Sequence, residues 1–420
     1  MATTLKTTTT TTITTPSATY FPRPQLANDL AEQLFDTTFG PSSGLFMAAP
    51  RRTGKSTFVR NDLVPALAQR KNADVIYVDL WANKNTDPAI LISNAIRSEL
   101  QKQAGTLAKI AAKAGISKLS LGAFGTGLNF DLSALGLGAD LTLANVLSVL
   151  SRESQRPVVL VIDEAQHALT TANGINALFA LKAARDELNL GAAGLYLVAT
   201  GSNRDKLATM VHSREQAFFG ADLLDFPTLG KDYLRWLFEK AALPLLDIEA
   251  AFKVFQKVGS RPEMINPALR RLKFELAHPY ADTDNNEAGQ VVVDANARFS
   301  ALVEENASAA KAAFFSAMAQ LPALQLALLS ELAVQSRWPD SAERSGIFSA
   351  KMIQKLQQRL IQQGSPTQDS EKIDSSSIQN ALESLREKSL LWRAQRGAYW
   401  IEEEQHVQWL IESLEQQENA

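Results

Sequence analysis

Apolar positions along this chain fall into two regimes. Short apolar runs at 44–48, 74–80, 157–162, 194–200 and 222–226 alternate with amphipathic stretches such as 56–69 and 88–112. Positions 158–162 are apolar without interruption, as expected of a strand covered on both faces of a parallel sheet. Strand–helix alternation of this kind predicts an α/β domain with right-handed crossovers over residues 20–230. Within it, residues 118–132 alternate around Gly122, Gly125 and Gly127. That pattern predicts a β-hairpin insert over 117–133, packed on its own domain.

After residue 226 the strand pattern stops. Helical periodicity at 231–242, 247–258 and 262–277 predicts a small helical lid spanning 231–310, with a solvated loop at 281–290. Beyond 311, helices are expected near 322–334, 349–362 and 375–388. An apolar-aromatic hairpin follows at 390–392 and 399–401, turning at Arg396-Gly397. Helix, helix, helix, hairpin is the order of a winged helix, expected over 311–420. Residues 1–19 are dominated by Thr. They offer too little apolar surface to offset ordering, so they read as a disordered tail.

Composition narrows the classes. Hydrophobic residues make up 45% and charged residues 21% of the 420 positions, enough for ordinary globular cores. There is no Cys, which excludes disulfides and thiolate metal sites and fits a reducing interior. No apolar run reaches the roughly 18 residues of a membrane span. The Thr-rich start lacks an apolar leader and carries Lys6 as its lone base, so the cytoplasm is the expected compartment. A net charge of −3 gives no global basic field.

The chemistry concentrates where the first, third and fourth strands end. Pro50-Arg51-Arg52-Thr53-Gly54-Lys55-Ser56-Thr57 lies between a strand and a helix, the context that a phosphate-binding P-loop requires. There backbone N–H groups cradle phosphate, Lys55 supplies a cation for the β- and γ-phosphates, and the Ser56 hydroxyl ligates Mg²⁺. The usual motif begins with Gly where this chain has Ala49, which predicts a slightly altered loop. Val159-Leu160-Val161-Ile162-Asp163-Glu164 places two carboxylates at the carboxyl end of a buried strand. Asp163 is expected to hold Mg²⁺ through water, and Glu164 to act as the base that polarises the attacking water. Read alone, the acids could be a helix cap; following a P-loop, they read as catalytic. At the next strand's end, Thr200 or Ser202, with Asn203 behind, is placed to sense the γ-phosphate. The same residues also make ordinary turns.

These residues resemble the AAA+ and related signal-transduction ATPases, above all the archaeal-type group near the origin-recognition ATPases. The resemblance runs from about Phe21 to the C-terminal winged helix and implies an AAA+-like P-loop NTPase sheet. It implies ATP and Mg²⁺ as ligands, ATP hydrolysis, and ATP-dependent homo-oligomers. In such proteins an aromatic-plus-Arg segment frames the adenine, which implies that role for Phe21, Pro22 and Arg23. Gly259-Ser260-Arg261-Pro262 matches the lid motif, implying that Arg261 is a second sensor. Arg214-Glu215 matches the segment that carries an arginine finger, although the second Arg of that segment is Ala221 here. Arg214 reads equally as a surface residue.

A winged helix suggests DNA. From Lys311 onward, however, the chain has eleven Lys and Arg against fourteen Asp and Glu. The expected recognition helix shows Gln379, Asn380 and Arg386 beside Glu383 and Glu387, with Lys388, Arg393 and Arg396 left for a small basic wing. Carboxylates facing phosphate oppose binding. Two readings stand: a DNA-linked ATPase of initiator, transposition or defence type, and an ATP-gated switch whose winged helix contacts protein.

Overall fold

A computed structural model describes residues 20–38, 43–83, 85–114, 129–130, 141–143, 146–147, 150–151, 155–190, 194–278, 294–336, 346–362, 373–395 and 397–418. Five parallel strands form the central sheet: β1 (Leu45–Ala48), β2 (Asp74–Asp79), β5 (Val158–Asp163), β6 (Leu195–Gly201) and β7 (Leu223–Asp225), in the order β2-β5-β6-β1-β7. A two-residue ladder pairs β3 (Asn129–Phe130) with β4 (Leu141–Thr142). The Gly-rich centre of the expected insert lies outside the described residues. Phe130 finds its partner downstream of that insert, at Leu141.

The unbroken apolar run of β5 serves two cores at once. Val158, Leu160 and Ile162 face one side with Phe46, Ile96 and Leu181; Val159 and Val161 face the other with Leu34, Phe58 and Leu67. Period-two alternation is therefore intact and hidden by burial on both faces. The helices that follow β1 and β6 lie on opposite faces. Val59, Leu63 and Leu67 pack on the second core, Leu207, Met210 and Val211 on the first. The crevice between β1 and β6 is thus a topological switch point, where ligands of open α/β sheets gather.

Three lid helices, Lys231–Ala241, Ile248–Lys257 and Pro262–Ala277, close over their own core of Leu234, Phe238, Phe255, Ile265 and Leu272. The expected boundary at 310/311 falls inside one continuous helix, Ala295–Met318. Its first half contributes Phe299, Leu302 and Val303 to the lid core, and its second half contributes Phe314 and Met318 to the C-terminal core. One rod thus belongs to two packing units. It is N-capped by Asp294, which accepts from the Asn296 and Ala297 N–H groups.

The C-terminal unit has helices Ala323–Ser336, Ala350–Gln362 and Ser375–Glu387, then the antiparallel pair β8 (Leu391–Gln395) and β9 (Ala398–Ile401). A last helix, Glu404–Glu418, for which the sequence reading had no element, returns to seal this core with Trp409, Leu410 and Ile411. The expected loop at 281–290 lies outside the described residues.

Candidate nucleotide-binding site

The loop after β1 begins with Ala49, whose N–H bonds to the Gly201 carbonyl at 3.1 Å. Ala49 keeps a negative φ, so the departure from Gly needs no strained backbone; the left-handed positions here are Arg52 (φ 66°) and Gly54 (φ 85°). Gly54 suits its position because a side chain is strained at that φ. Thr53 is buried and donates its hydroxyl to the Pro50 carbonyl at 2.9 Å. The next helix opens with Phe58 N–H bonding to Gly54 O at 2.9 Å. This leaves the first helical N–H groups to face whatever sits above the loop.

At the helix start, Lys55 is 5% exposed and its Nζ donates to three oxygens: Asp163 Oδ1 at 3.0 Å, Glu164 Oε1 at 3.1 Å and Thr200 Oγ1 at 3.2 Å. Thr200 in turn donates to Asp163 Oδ1 in a short bond. Burial alone would raise the Asp163 carboxyl. The Lys55 ammonium, with the hydroxyls of Thr200 and Ser56, overrides it and holds the group at about 2. Burial likewise works against Glu164, and Lys55, Ser202 and Gln166 together bring its carboxyl below the ordinary value.

Glu164 stands in the left-handed region at φ 56°, which for a non-glycine marks backbone strain held by its surroundings. Its Oε2 takes the Gln166 amide at 2.6 Å, the Ser202 hydroxyl at 2.6 Å and the Ser202 N–H at 3.2 Å. Gly201 leaves room for Gln166: a Cβ there would lie 2.5 Å from Gln166 Oε1 and oblige that side chain to shift. Of the two sensor candidates, Thr200 thus meets Lys55 and Asp163, while Ser202 holds Glu164. Asn203 caps the following helix by accepting from Lys206 N–H at 2.8 Å.

A cleft of about 570 Å³ opens from Gly54 and Thr57 toward the lid. Phe21, Leu229, Trp236 and Leu269 give it apolar walls. Phe21 packs edge-on to Tyr233 at 5.5 Å and tilted against Trp236 at 5.4 Å. Pro22 is half-buried between Phe21 and Arg23. Arg23 stacks over Phe226 at 4.3 Å and donates to the Pro227 carbonyl at 2.8 Å, so its guanidinium is spent on the wall. In the loop itself, Arg51 lies over the Trp81 ring at 5.0 Å, and Arg52 pairs with Glu263 of the lid at 3.0 Å.

Two expected cations stay apart from this cluster. Arg214 is exposed after the helix Arg204–His212 and makes no hydrogen bond with Lys55, Asp163 or Glu164. Arg261 is buried and turned to Glu403 at 2.9 Å. Glu403 begins a set of contacts that the sequence did not reveal. Asp205 accepts both arms of Arg386 at 2.9 Å and the Arg393 N–H at 2.9 Å. Asn203 donates to Ser389 at 3.0 Å, and Arg204 N–H donates to Glu402 at 2.9 Å. Arg386, expected among groups available to DNA, is therefore committed to the α/β domain.

Burial pushes the Glu402 carboxyl up to about 7. The Arg204 N–H and guanidinium oppose that rise, and Asp205 and Glu403 add to it. A carboxyl raised by docking contributes stability that is complete below its free value near 4.5 and is lost as pH rises through about 7. Docking of the C-terminal unit should therefore weaken by roughly 50- to 100-fold between pH 5 and 8. Proteolytic nicking across that range is the measurement. Glu402→Gln should flatten the profile, and an unchanged slope in that variant would remove Glu402 as its cause.

Among the described residues, no group of three or more His, Cys, Asp or Glu is placed to hold a metal ion alone. The Ser56 hydroxyl lies close enough to the Asp163 carboxylate to help lower it. One hydroxyl and one carboxylate suit an ion that keeps several waters and arrives with phosphate oxygens, which is the habit of magnesium. No described helix is long and apolar enough to cross a membrane.

No protein-family model matches the chain, and no curated protein matches it. Solved structures do. The Walker-type ATPase of Pyrococcus abyssi is similar over 93% of this chain and 96% of that one, at 17% identity and TM-score 0.50. The ORC2 protein of Aeropyrum pernix in its ADP form is similar over 95% of each chain, at 14% identity and TM-score 0.48. The first likeness shows a shared fold: a P-loop NTPase sheet followed by helical units along nearly the whole chain.

Proposed function

We propose that this chain binds Mg-ATP in the crevice between β1 and β6, hydrolyses it, and uses the nucleotide to govern whether its C-terminal winged helix stays docked. The observation that carries the ATPase reading is Lys55 Nζ within 3.2 Å of Asp163, Glu164 and Thr200 at the strand ends. A cation at that point neutralises the acids that the reaction needs. The Walker-type ATPase name of the similar Pyrococcus abyssi protein supports the same reading.

In this reading Lys55 moves from the carboxylates to the β- and γ-phosphates, while Gly54 to Thr57 present N–H groups to them. Ser56 and Asp163 would hold magnesium, which would supply positive charge against that developing on the phosphates. Glu164 takes a proton from the attacking water. Thr200, already bonded to Asp163, and Ser202, bonded to Glu164, are placed to register the γ-phosphate. Phe21 and Pro22 wall the base, and Arg23 fixes that wall. Arg261 serves as second sensor once it leaves Glu403. Arg214 serves as the finger for a neighbouring copy in an ATP-bound homo-oligomer.

Docking favours the protein switch over the DNA machine. Arg386 and the Arg393 backbone, which a DNA reader would present outward, face Asp205. The Arg386 and Asp205 side chains are 15% and 10% exposed, so their bond is largely desolvated. Truncating one partner of such a pair costs about 3–5 kcal/mol. Arg386→Ala should therefore release the C-terminal unit, read as an increase in radius of gyration and faster proteolysis between the domains. An Arg386→Ala protein as compact as the parent would remove this contact from the latch. Mg-ATP turnover, with no retention of duplex DNA at low salt, is the result expected of the parent. ATP-dependent, salt-sensitive DNA retention would instead establish the DNA-linked reading. Failure to bind any nucleotide would overturn both.

A further inference from the structure

Asp163 is held from two sides. Lys55, Thr200 and the Glu164 N–H converge on Oδ1, while Oδ2 takes the hydroxyl of Tyr77 at 3.0 Å. Tyr77 sits on β2, paired in register with Val161, so it reaches diagonally to the residue two positions along the neighbouring strand. Behind it, Arg60 Nε donates to the Tyr77 oxygen at 2.8 Å, and Arg60 NH2 donates to Asp79 Oδ2 at 2.8 Å. Asp79 is fixed in turn by the Trp81 N–H on its other oxygen at 2.9 Å. Arg60 belongs to a π-helical turn, Val59–Leu63, that continues the P-loop helix. Such turns are rare and concentrate at functional sites.

Because Arg60 donates to the phenol oxygen, the phenol proton is directed at Asp163. The donation fixes the plane of the carboxylate. It also leaves Oδ1 as the oxygen freed when Lys55 moves to phosphate. We propose that Tyr77, backed by Arg60, is a positioning residue that orients Asp163 toward a magnesium ion carried by the nucleotide. This rests on the nucleotide reading above. It assigns Tyr77 and Arg60 no contact with substrate.

The test separates magnesium coupling from folding and from phosphate binding. Titration calorimetry measures ADP affinity with and without Mg²⁺ for the parent, Tyr77→Phe and Arg60→Gln, with melting temperature as the folding control. Tyr77→Phe should bind ADP alone as the parent does and lose about tenfold of the affinity gained with Mg²⁺, the effect of ~1.4 kcal/mol expected of one hydrogen bond to a charged group. Arg60→Gln, at a half-exposed position, should lose about threefold. It carries the test if Tyr77→Phe does not fold. An unchanged magnesium gain in a folded variant overturns the proposal while the nucleotide reading stands. A parent with no Mg-ADP binding overturns both.

Discussion

Replacing Lys55 by Ala is expected to weaken Mg-ATP binding by at least about a hundredfold, near the ~3 kcal/mol upper range for a charged hydrogen bond. The effect is large because the ammonium has two tasks. In the proposed reading it meets phosphate, and in the structure it neutralises Asp163 and Glu164, which are 0% and 13% exposed. Its loss also removes the strongest opponent of burial at Asp163. That carboxyl, depressed to about 2, contributes stability above its ordinary pKa that is lost as pH falls through 2. In Lys55→Ala the contribution disappears, so the melting temperature without nucleotide should drop as well. Calorimetric titration with Mg-ATP measures the first effect. A dissociation constant within threefold of the parent would end the P-loop assignment.

Glu164→Gln is expected to lower kcat by about 10²–10⁴-fold, the span of general acid–base catalysis, while nucleotide stays bound. An amide cannot accept the proton of the attacking water. The proposed transfer of Lys55 to phosphate would also make the native carboxylate a better base at that moment. In the free protein Lys55 is the strongest influence lowering Glu164 against its burial. Once Lys55 moves to phosphate, that influence weakens and the carboxylate's proton affinity rises. Gln keeps an oxygen to accept from Ser202 and Gln166, so the loop should hold its shape. Single-turnover kinetics with retained nucleotide would read the trap. Normal turnover in Glu164→Gln would dismiss Glu164 as the base.

The five strands of the central sheet were legible to within a residue or two, because strands buried on both faces leave continuous apolar runs, as at Val158–Asp163. The P-loop and the acid pair were legible because each is local in sequence. What escaped was non-local. Tyr77 looked like one position on a half-buried face of β2, and nothing in its own segment revealed Asp163 as its partner. Gln166, two residues beyond the acid pair, gave no sign that it holds Glu164. The Arg261–Glu403 and Arg386–Asp205 pairs join residues far apart in sequence. Charge patterning along one helix cannot tell whether a guanidinium faces solvent or a distant acid. The lid boundary was missed for another reason: a helix can change partners midway without any break in its periodicity, as Ala295–Met318 does.

Thr200 stands on β6, between the strand before Lys55 and the strand that ends in Asp163. The cation and the acid are therefore neighbours only after a third strand, supplied much later in the chain, has slid between them. A ribosome that has released residues up to Glu164 has emitted Lys55, Asp163 and Glu164, yet no pocket. Nucleotide capture by a nascent or refolding chain should thus begin only when β6 is seated, making ATP a reporter of completed sheet assembly.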